Sequence, residues 1–354
     1  MTVPPLITTI IPTYRRPLQL KRAIRSVLAQ TYAHLQVCVY DNASGDETAS
    51  VVAQIAQKDP RVKYHCHSCN ITATSNFEYG MRQVDTPFFS FLSDDDLLLP
   101  GFYETALAGF KDHPEAAFSA GGVIDMTDKG RFMAISKTTL QEKEVRIPPQ
   151  GLFEMISNYI NWTGILFRKE VIAAIGGLDP TIKPIDLDFV LKAAARFTYV
   201  VSQKPCAIFF HHPASYSGNC GLKLIWPGWL KIIENLKNVV AEAEKEKVES
   251  LLKSKMRDLL TYTAVQGVLR SKMDEMIPIA DLLMDMPESK LKGKVMKFTA
   301  IFCKKHIFLQ KSFCFFAGYS YKTLKFLKDY RLRKQYVSYV KLVKEFFKEK
   351  ADKR

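Results

Sequence analysis

No stretch of this 354-residue chain is uninterruptedly apolar for the roughly 18 residues that a membrane-spanning helix needs, which argues against such a helix. The first residues, MTVPPLITTIIPTYRRP, carry no basic segment ahead of their apolar run, so they do not read as a secretory signal; Ile7 to Ile11 reads as a first strand instead. Cysteine is present seven times, an odd number without framework spacing, which points to a reducing compartment. The cluster His65-Cys66-His67-Ser68-Cys69 holds a lone C-x-x-C with no second pair at zinc-ribbon spacing, and thiols carried by chance at a strand end or loop account for it better than a metal does. No internal repeat and no nucleic-acid-binding motif is visible. Glycine is missing from PTYRRP, the turn after the first strand, where a phosphate-cradling loop would place it.

Net charge is also missing from most of the chain. Residues 1–290 hold 32 basic and 32 acidic residues, whereas residues 291–354 hold 18 Lys+Arg against 4 Asp+Glu. The whole excess of +14 therefore belongs to the C-terminal segment, a composition suited to an anionic surface.

What is present in the first half is a strand–helix alternation. Leu6–Ile11, Leu35–Tyr40, Val62–His65 and Pro87–Leu92 read as strands. Helices are expected from Pro17 through Leu28, at Ala49–Gln57 and around Asn76–Gln83. Alternation of this kind implies α/β architecture with a mostly parallel, doubly wound, Rossmann-like sheet, whose ligands lie beyond the carboxyl ends of the strands. Phe118–Met126 and Ala207–Phe210 are further strands, residues 127–149 are polar and loop-rich, and Asp186 and Asp188 open a helix. From about residue 222 the pattern turns to long helices, with Ile232, Ile233, Leu236, Val239, Val240 and Ala243 on one face, and with Pro278 and Pro287 as punctuation. The organisation expected is a catalytic domain over 1–221, a helical region over 222–290 and a basic amphipathic helical tail over 291–354, where Tyr336, Tyr339, Val340, Val343, Phe346 and Phe347 share a face.

The stretch FFSFLSDDDLLLP carries the most chemistry. Asp94, Asp95 and Asp96 follow an apolar strand without a break. Two carboxylates about 6 Å apart repel by roughly 3 kcal/mol at an effective dielectric of 20. An acidic cap on a helix at Leu97–Phe102 would need only one of them. A bound divalent cation is the better account, since Mg²⁺ and Mn²⁺ take oxygen ligands and share them with substrate phosphates.

In the order IIPTYRRPLQLKRAIRSVLAQTY, VCVYDNASGDET, FLSDDDLLLPGF and GGLDPTIKPIDLDFVLKAA, residues 5–217 resemble the family 2 glycosyltransferases, which have a GT-A fold. The resemblance implies inverting transfer of a sugar from a nucleotide diphosphate donor, most simply a UDP-sugar, with Mn²⁺ or Mg²⁺. It places Pro12, Thr13 and Tyr14 at the nucleobase and Asp41 on the base itself. Asn70 and Asp94 line the donor, and Asp95, with Asp94, ligates the metal. His212, or its neighbour His211, stands near the diphosphate or metal. Asp186 becomes the general base, although this chain has Ile185 where the family often has Glu; Asp188 is the alternative. Trp162 and Asp188 lie on the acceptor side. Each residue has a structural alternative: a surface aromatic for Tyr14, a turn-starting acid for Asp41, a core ring for Trp162, and helix-N-terminal acids for Asp186 and Asp188.

Two other classes remain open at this stage. One is a nucleotidyltransferase, against which the glycine-free PTYRRP counts. The other is a non-catalytic sugar-nucleotide or membrane-binding protein, against which the intact SDDD and Asp186 count. The partners expected are a nucleotide-diphosphate sugar, a glycan or lipid-linked acceptor and an anionic membrane surface through 291–354, with no nucleic acid. The expected location is cytoplasmic, on the inner face of the cell membrane.

Overall fold

The computed structural model describes residues 5–135, 144–211, 222–269, 273–305 and residue 341. The described residues up to Lys245 form one compact unit, and those from Glu246 to Lys305 form a second.

The first unit opens with β1 (Ile7–Thr13), α1 (Pro17–Leu28), β2 (Leu35–Asp41), α2 (Thr48–Ala56), β3 (Val62–Cys66), α3 (Ala73–Arg82) and β4 (Phe88–Phe91). The four strands pair in parallel in the order β3-β2-β1-β4. β1 and β2 are buried at every position, as expected of strands covered on both faces. α1 starts with Pro17 in its first turn and lays Leu20, Ala23, Ile24 and Val27 against the sheet. α3 lies so close to the sheet that a Cβ at Gly80 would be 2.7 Å from Ile10 Cγ2 and 2.8 Å from the Tyr40 ring. Thr13 is level with Asp41 in the register, so β1 and β2 deliver their last residues to the same edge.

The chain then turns through Ser93–Asp96 into β5 (Leu97–Leu98), which pairs antiparallel with a late strand, before α4 (Phe102–Asp112) begins. Gly101 opens α4 at φ +79°, a left-handed conformation that glycine adopts without strain. The helix considered at Leu97–Phe102 is therefore absent, and the three aspartates cap nothing. The second half continues with β6 (Phe118–Thr127), β7 (Phe132–Ile135), β8 (Glu144–Arg146), α5 (Gln150–Ser157), a 3-10 turn at Trp162–Gly164, β9 (Ile165–Arg168), α6 (Glu170–Ile175), α7 (Ile185–Arg196), β10 (Tyr199–His211) and α8 (Leu222–Lys237). The strand order is β3-β2-β1-β4-β9-β6-β10-β5, with β9 antiparallel between β4 and β6, and β6 parallel to β10. The sheet is mixed α/β and mostly parallel along its central path.

Three local readings change. The polar span 127–149 contributes two short strands, because β6 and β10 both offer it an edge to pair with. The last strand begins at Tyr199, earlier than its apolar end suggests. Its polar middle, Ser202 to Pro205, is accommodated by register shifts between Val201, Pro205 and Ala207. The helix face expected over 232–243 is interrupted. α8 ends at Lys237, with the Val239 and Val240 amides both donating to the Leu236 carbonyl, and α9 (Glu242–Leu269) starts anew.

The second unit is helical. α9 supplies Leu252, Met256, Leu260 and Ala264, four residues apart and all buried. α10 (Met273–Met284) buries Met276, Ile279, Ala280 and Leu283 and accommodates Pro278 within its length, while Pro287 opens a 3-10 turn ahead of α11 (Lys290–Lys305). Among the described residues no helix is long and apolar enough to cross a membrane.

Candidate active site

A cleft of about 630 Å³ opens in the first unit at the carboxyl ends of β1, β2 and β4. This is the edge where a parallel sheet exposes the ends of its strands and where loops can carry functional groups. Pro12 and Thr13 line it from the end of β1, with Tyr14 just past that strand and Asn42 just past β2. Tyr14 is 39% exposed, with the Arg15 guanidinium 5.0 Å from its ring centre, so its aromatic face lies at the cleft surface and outside the core.

The aspartate run divides its work. Asp94 is buried and accepts from Thr13 Oγ1 at 2.8 Å. Its other oxygen lies 3.1 Å from Arg16 Nη1, and the same nitrogen lies 2.8 Å from Asp95 Oδ2. One cationic nitrogen thus stands between two carboxylates on the cleft wall. Burial, then the neighbouring Asp95, pushes the Asp94 carboxyl up to about 6. Asp96 points inward. Its Oδ1 accepts from the Phe210 amide at 2.9 Å and its Oδ2 from Thr163 Oγ1 at 3.2 Å, so it ties β10 and the 3-10 turn to the end of β4. Burial, followed by the charge on Asp95, holds its pKa well above the carboxylate range.

Asp186 comes to the same cleft from the first turn of α7. Its Oδ2 accepts from the Tyr159 hydroxyl at 2.8 Å and from Asn161 Nδ2 at 3.2 Å. Burial raises its pKa, while the Tyr159 hydroxyl and the helix amides of Leu187 and Asp186 pull the other way. α8 fixes the approach to this helix, for any side chain at Gly228 would collide with the backbone of Lys183. Lys183 itself lines the cleft.

The remaining candidates separate. Asn70 lines the cleft and holds its own loop together. Its Oδ1 accepts from Asn42 Nδ2 at 3.2 Å and from the Thr72 amide at 3.0 Å, with Thr72 at φ +74°. Trp162 is among the cleft lining but is 4% exposed and stacks on Phe91 at 4.3 Å, as its core alternative has it. Asp41, expected on the nucleobase, does not line the cleft. Its carboxylate accepts from the Ser44 amide and hydroxyl at 2.9 and 2.6 Å and from Tyr64 at 2.6 Å, which makes it the turn-starting acid of DNAS. Asp188 is also absent from the cleft. Two residues on from Asp186 it lies about 200° further around the helix, and it is buried against Lys192 Nζ at 2.6 Å and Asn235 Nδ2 at 3.1 Å. His211, next to the cleft-lining Phe209 and Phe210, does not itself line the cleft and pairs with Asp125 at 2.7 Å. His212 lies outside the described residues. In the histidine–cysteine cluster, His65 stacks on Tyr79 at 4.8 Å and His67 shares a hydrogen bond with Asn76 at 2.9 Å.

Sequence reasoning passed over Arg16, Tyr159 and Asn161. The only signals were position: Arg16 stands two residues past Tyr14 at a strand end, Asn161 opens NWTG and Tyr159 lies two residues before it. As for a metal, Asp94 and Asp95 are hard oxygen donors already aimed at one cation, which fits Mg²⁺ or Mn²⁺. Among the described residues no group of three or more His, Cys, Asp or Glu converges on one point.

The cleft sits at the carboxyl ends of parallel strands in an α/β domain and gathers Asp94, Asp95 and the helix-borne Asp186. Residues 8–173 match the model for glycosyl transferase family 2, and the chain carries a family 2 glycosyltransferase domain. Among curated relatives, 104 residues are 35% identical to a GalNAc(5)-diNAcBac-PP-undecaprenol beta-1,3-glucosyltransferase of Campylobacter jejuni, covering 29% of this chain and 34% of the relative. A further 185-residue match at 24% identity, to an uncharacterized glycosyltransferase of Rickettsia typhi, covers 51% of this chain and 56% of the relative. The chain thus spans between a third and just over half of these relatives' lengths. The fold is shared with S. aureus TarS 1-349 in complex with UDP-GlcNAc, at a TM-score of 0.62 and 14% identity over 90% of this chain and 91% of that one. It is also shared with the mannosyltransferase PcManGT of Pyrobaculum calidifontis in complex with GDP-Man and Mn²⁺, at 0.52 and 14% over 90% and 87%.

Proposed function

We propose that this protein is an inverting glycosyltransferase that moves a sugar from a nucleotide diphosphate donor, a UDP-sugar, to a hydroxyl of a glycan or lipid-linked acceptor. The observation that carries this reading is the presence in one cleft of the Asp94–Asp95 pair and of Asp186. The pair suits the diphosphate end of a donor, and Asp186 suits the attacking hydroxyl. A hydroxyl is a poor nucleophile until its proton is taken, and a carboxylate with a raised pKa takes it more readily than an ordinary one. Tyr159 and Asn161 hold Asp186 in place, and Tyr14 offers a ring to the nucleobase at the opposite wall. Trp162 offers the acceptor an apolar platform.

Asp95 and Asp94 would hold Mn²⁺ or Mg²⁺, whose chemistry when bound is to neutralise charge on the departing diphosphate. Arg16 provides the positive charge there in the protein alone. Asp41 contributes to the donor site through the turn it shapes, which presents Asn42 to the cleft. The named substrates of the relatives agree with this class. One structural neighbour holds UDP-GlcNAc, and one relative is a glucosyltransferase whose name includes an undecaprenol diphosphate.

Calorimetric titration of UDP into the protein, with Mn²⁺ and then with EDTA, tests the reading. Metal-dependent binding that Asp95→Asn abolishes is expected. Binding of UDP, GDP and dTDP that is equally absent with and without metal would overturn it.

A further inference from the structure

Helix α11 is packed with its faces exchanged. Its buried positions are the small residues Gly293 and Ala300, and a Cβ on Gly293 would sit 2.7 Å from the Ala280 carbonyl oxygen and 2.7 Å from Met284 Cγ of α10. Its large apolar residues point the other way: Leu291, Val295, Phe298 and Phe302 are 77, 57, 71 and 43% exposed. Spaced at i, i+4, i+7 and i+11, they form one stripe opposite the buried face, and Phe298 and Phe302 stack on each other at 6.0 Å. A helix stabilised only by its own unit would bury these residues and expose the small ones. A contiguous apolar stripe left outside marks an interaction surface.

The charge around the stripe selects the partner. α11 carries six lysines and no acid. Lys297 and Lys304 pair with Asp281 and Asp274 of α10 at 2.7 and 2.6 Å, and Lys290 and Lys294 stand exposed close to the stripe. A second copy docked through this face would bring the exposed Lys290 and Lys294 of one helix against those of the other. Residues 306–354 would add 13 Lys+Arg against 4 Asp+Glu. Either would stack positive charge on positive charge.

We propose that α11 is a docking surface for an anionic lipid bilayer. Leu291, Val295, Phe298 and Phe302 enter the acyl boundary, and the flanking lysines meet the headgroup phosphates. With six lysines in its 16 described residues the helix is too polar to cross, so it lies in the plane of the interface.

The test is co-sedimentation of the full chain with phosphatidylcholine vesicles containing about one quarter phosphatidylglycerol, and with pure phosphatidylcholine vesicles. Binding to the anionic vesicles at least tenfold stronger, and weakened at about 0.5 M NaCl, is expected. Phe298→Ser with Phe302→Ser lowers that binding at least tenfold with no change in the thermal midpoint, since both rings are already exposed. If that variant fails to fold, Lys290→Gln with Lys294→Gln serves, lowering binding about fivefold per lysine. The proposal is overturned by an intact chain that stays in the supernatant, by either variant pelleting like the parent, or by a dimer in light scattering that the phenylalanine variant dissolves.

Discussion

Replacing Tyr159 by phenylalanine separates a base that titrates from an acid that merely braces a helix. The Tyr159 hydroxyl donates to Asp186 Oδ2 at 2.8 Å, and its own ionisation is pushed far up by burial and by Asp186, so it remains a donor throughout the working range. A hydrogen bond to a charged acceptor contributes about 1.5–3 kcal/mol, and one pKa unit corresponds to about 1.4 kcal/mol. Asn161 Nδ2 still donates to the same oxygen at 3.2 Å, which favours the lower end of that range. The sign follows from the protonation state that is stabilised. Tyr159 favours the charged carboxylate and lowers its pKa, so its removal raises an already raised value by about one unit. The assay is UDP release from a UDP-hexose, with kcat/KM followed from about pH 5 to about pH 9, a profile that reports the free enzyme's base. The acid limb is expected to move up by about one unit, giving roughly a tenfold loss below the limb and less than about a twofold change on the alkaline plateau. A uniform loss at every pH, or an Asp186→Asn variant that keeps its rate, would refute the assignment of Asp186 as base.

Two further outcomes concern the frame around the site. Asp188→Ala strands the buried Lys192 ammonium, whose side chain is 13% exposed, and is expected to lower stability in urea by about 3 kcal/mol while leaving the acid limb in place; a shifted limb would instead make Asp188 part of the chemistry. Gly80→Ala forces a methyl to within 2.7 Å of Ile10 Cγ2 and 2.8 Å of the Tyr40 ring and is expected to cost about 2 kcal/mol. Unchanged stability there would show that α3 can retreat from the sheet.

The β-α alternation of the first hundred residues was legible because fully buried parallel strands read as short apolar runs, and because α1 shows its buried face at helical spacing. Where a strand is bulged, as at Ser202–Pro205 in β10, its polar residues hid half its length. The aspartate run was legible as chemistry but not as three separate roles. Nothing in the letters Asp94-Asp95-Asp96 says that the third carboxylate turns inward to meet the Phe210 amide. Arg16 was invisible as their partner, because an arginine at a strand end has many places to reach. In α11 the exposed stripe was not read from the sequence, whose amphipathic face was placed further on, at Tyr336 to Phe347.

The sequence by itself determined the order of the elements along the chain and the residue types available at the strand ends. These depend on periodicity and backbone preference, which act over a few neighbours. Only the tertiary structure decided that Asp186 faces the cleft while Asp188 is paired with Lys192, that Asp41 is consumed by its own turn, and that Tyr159 and Asn161 hold the candidate base. Those choices rest on contacts between side chains more than 20 residues apart, such as Tyr64 with Asp41 and Tyr159 with Asp186, or on which side of one helix meets the rest of the core. They exist only once the chain has closed on itself.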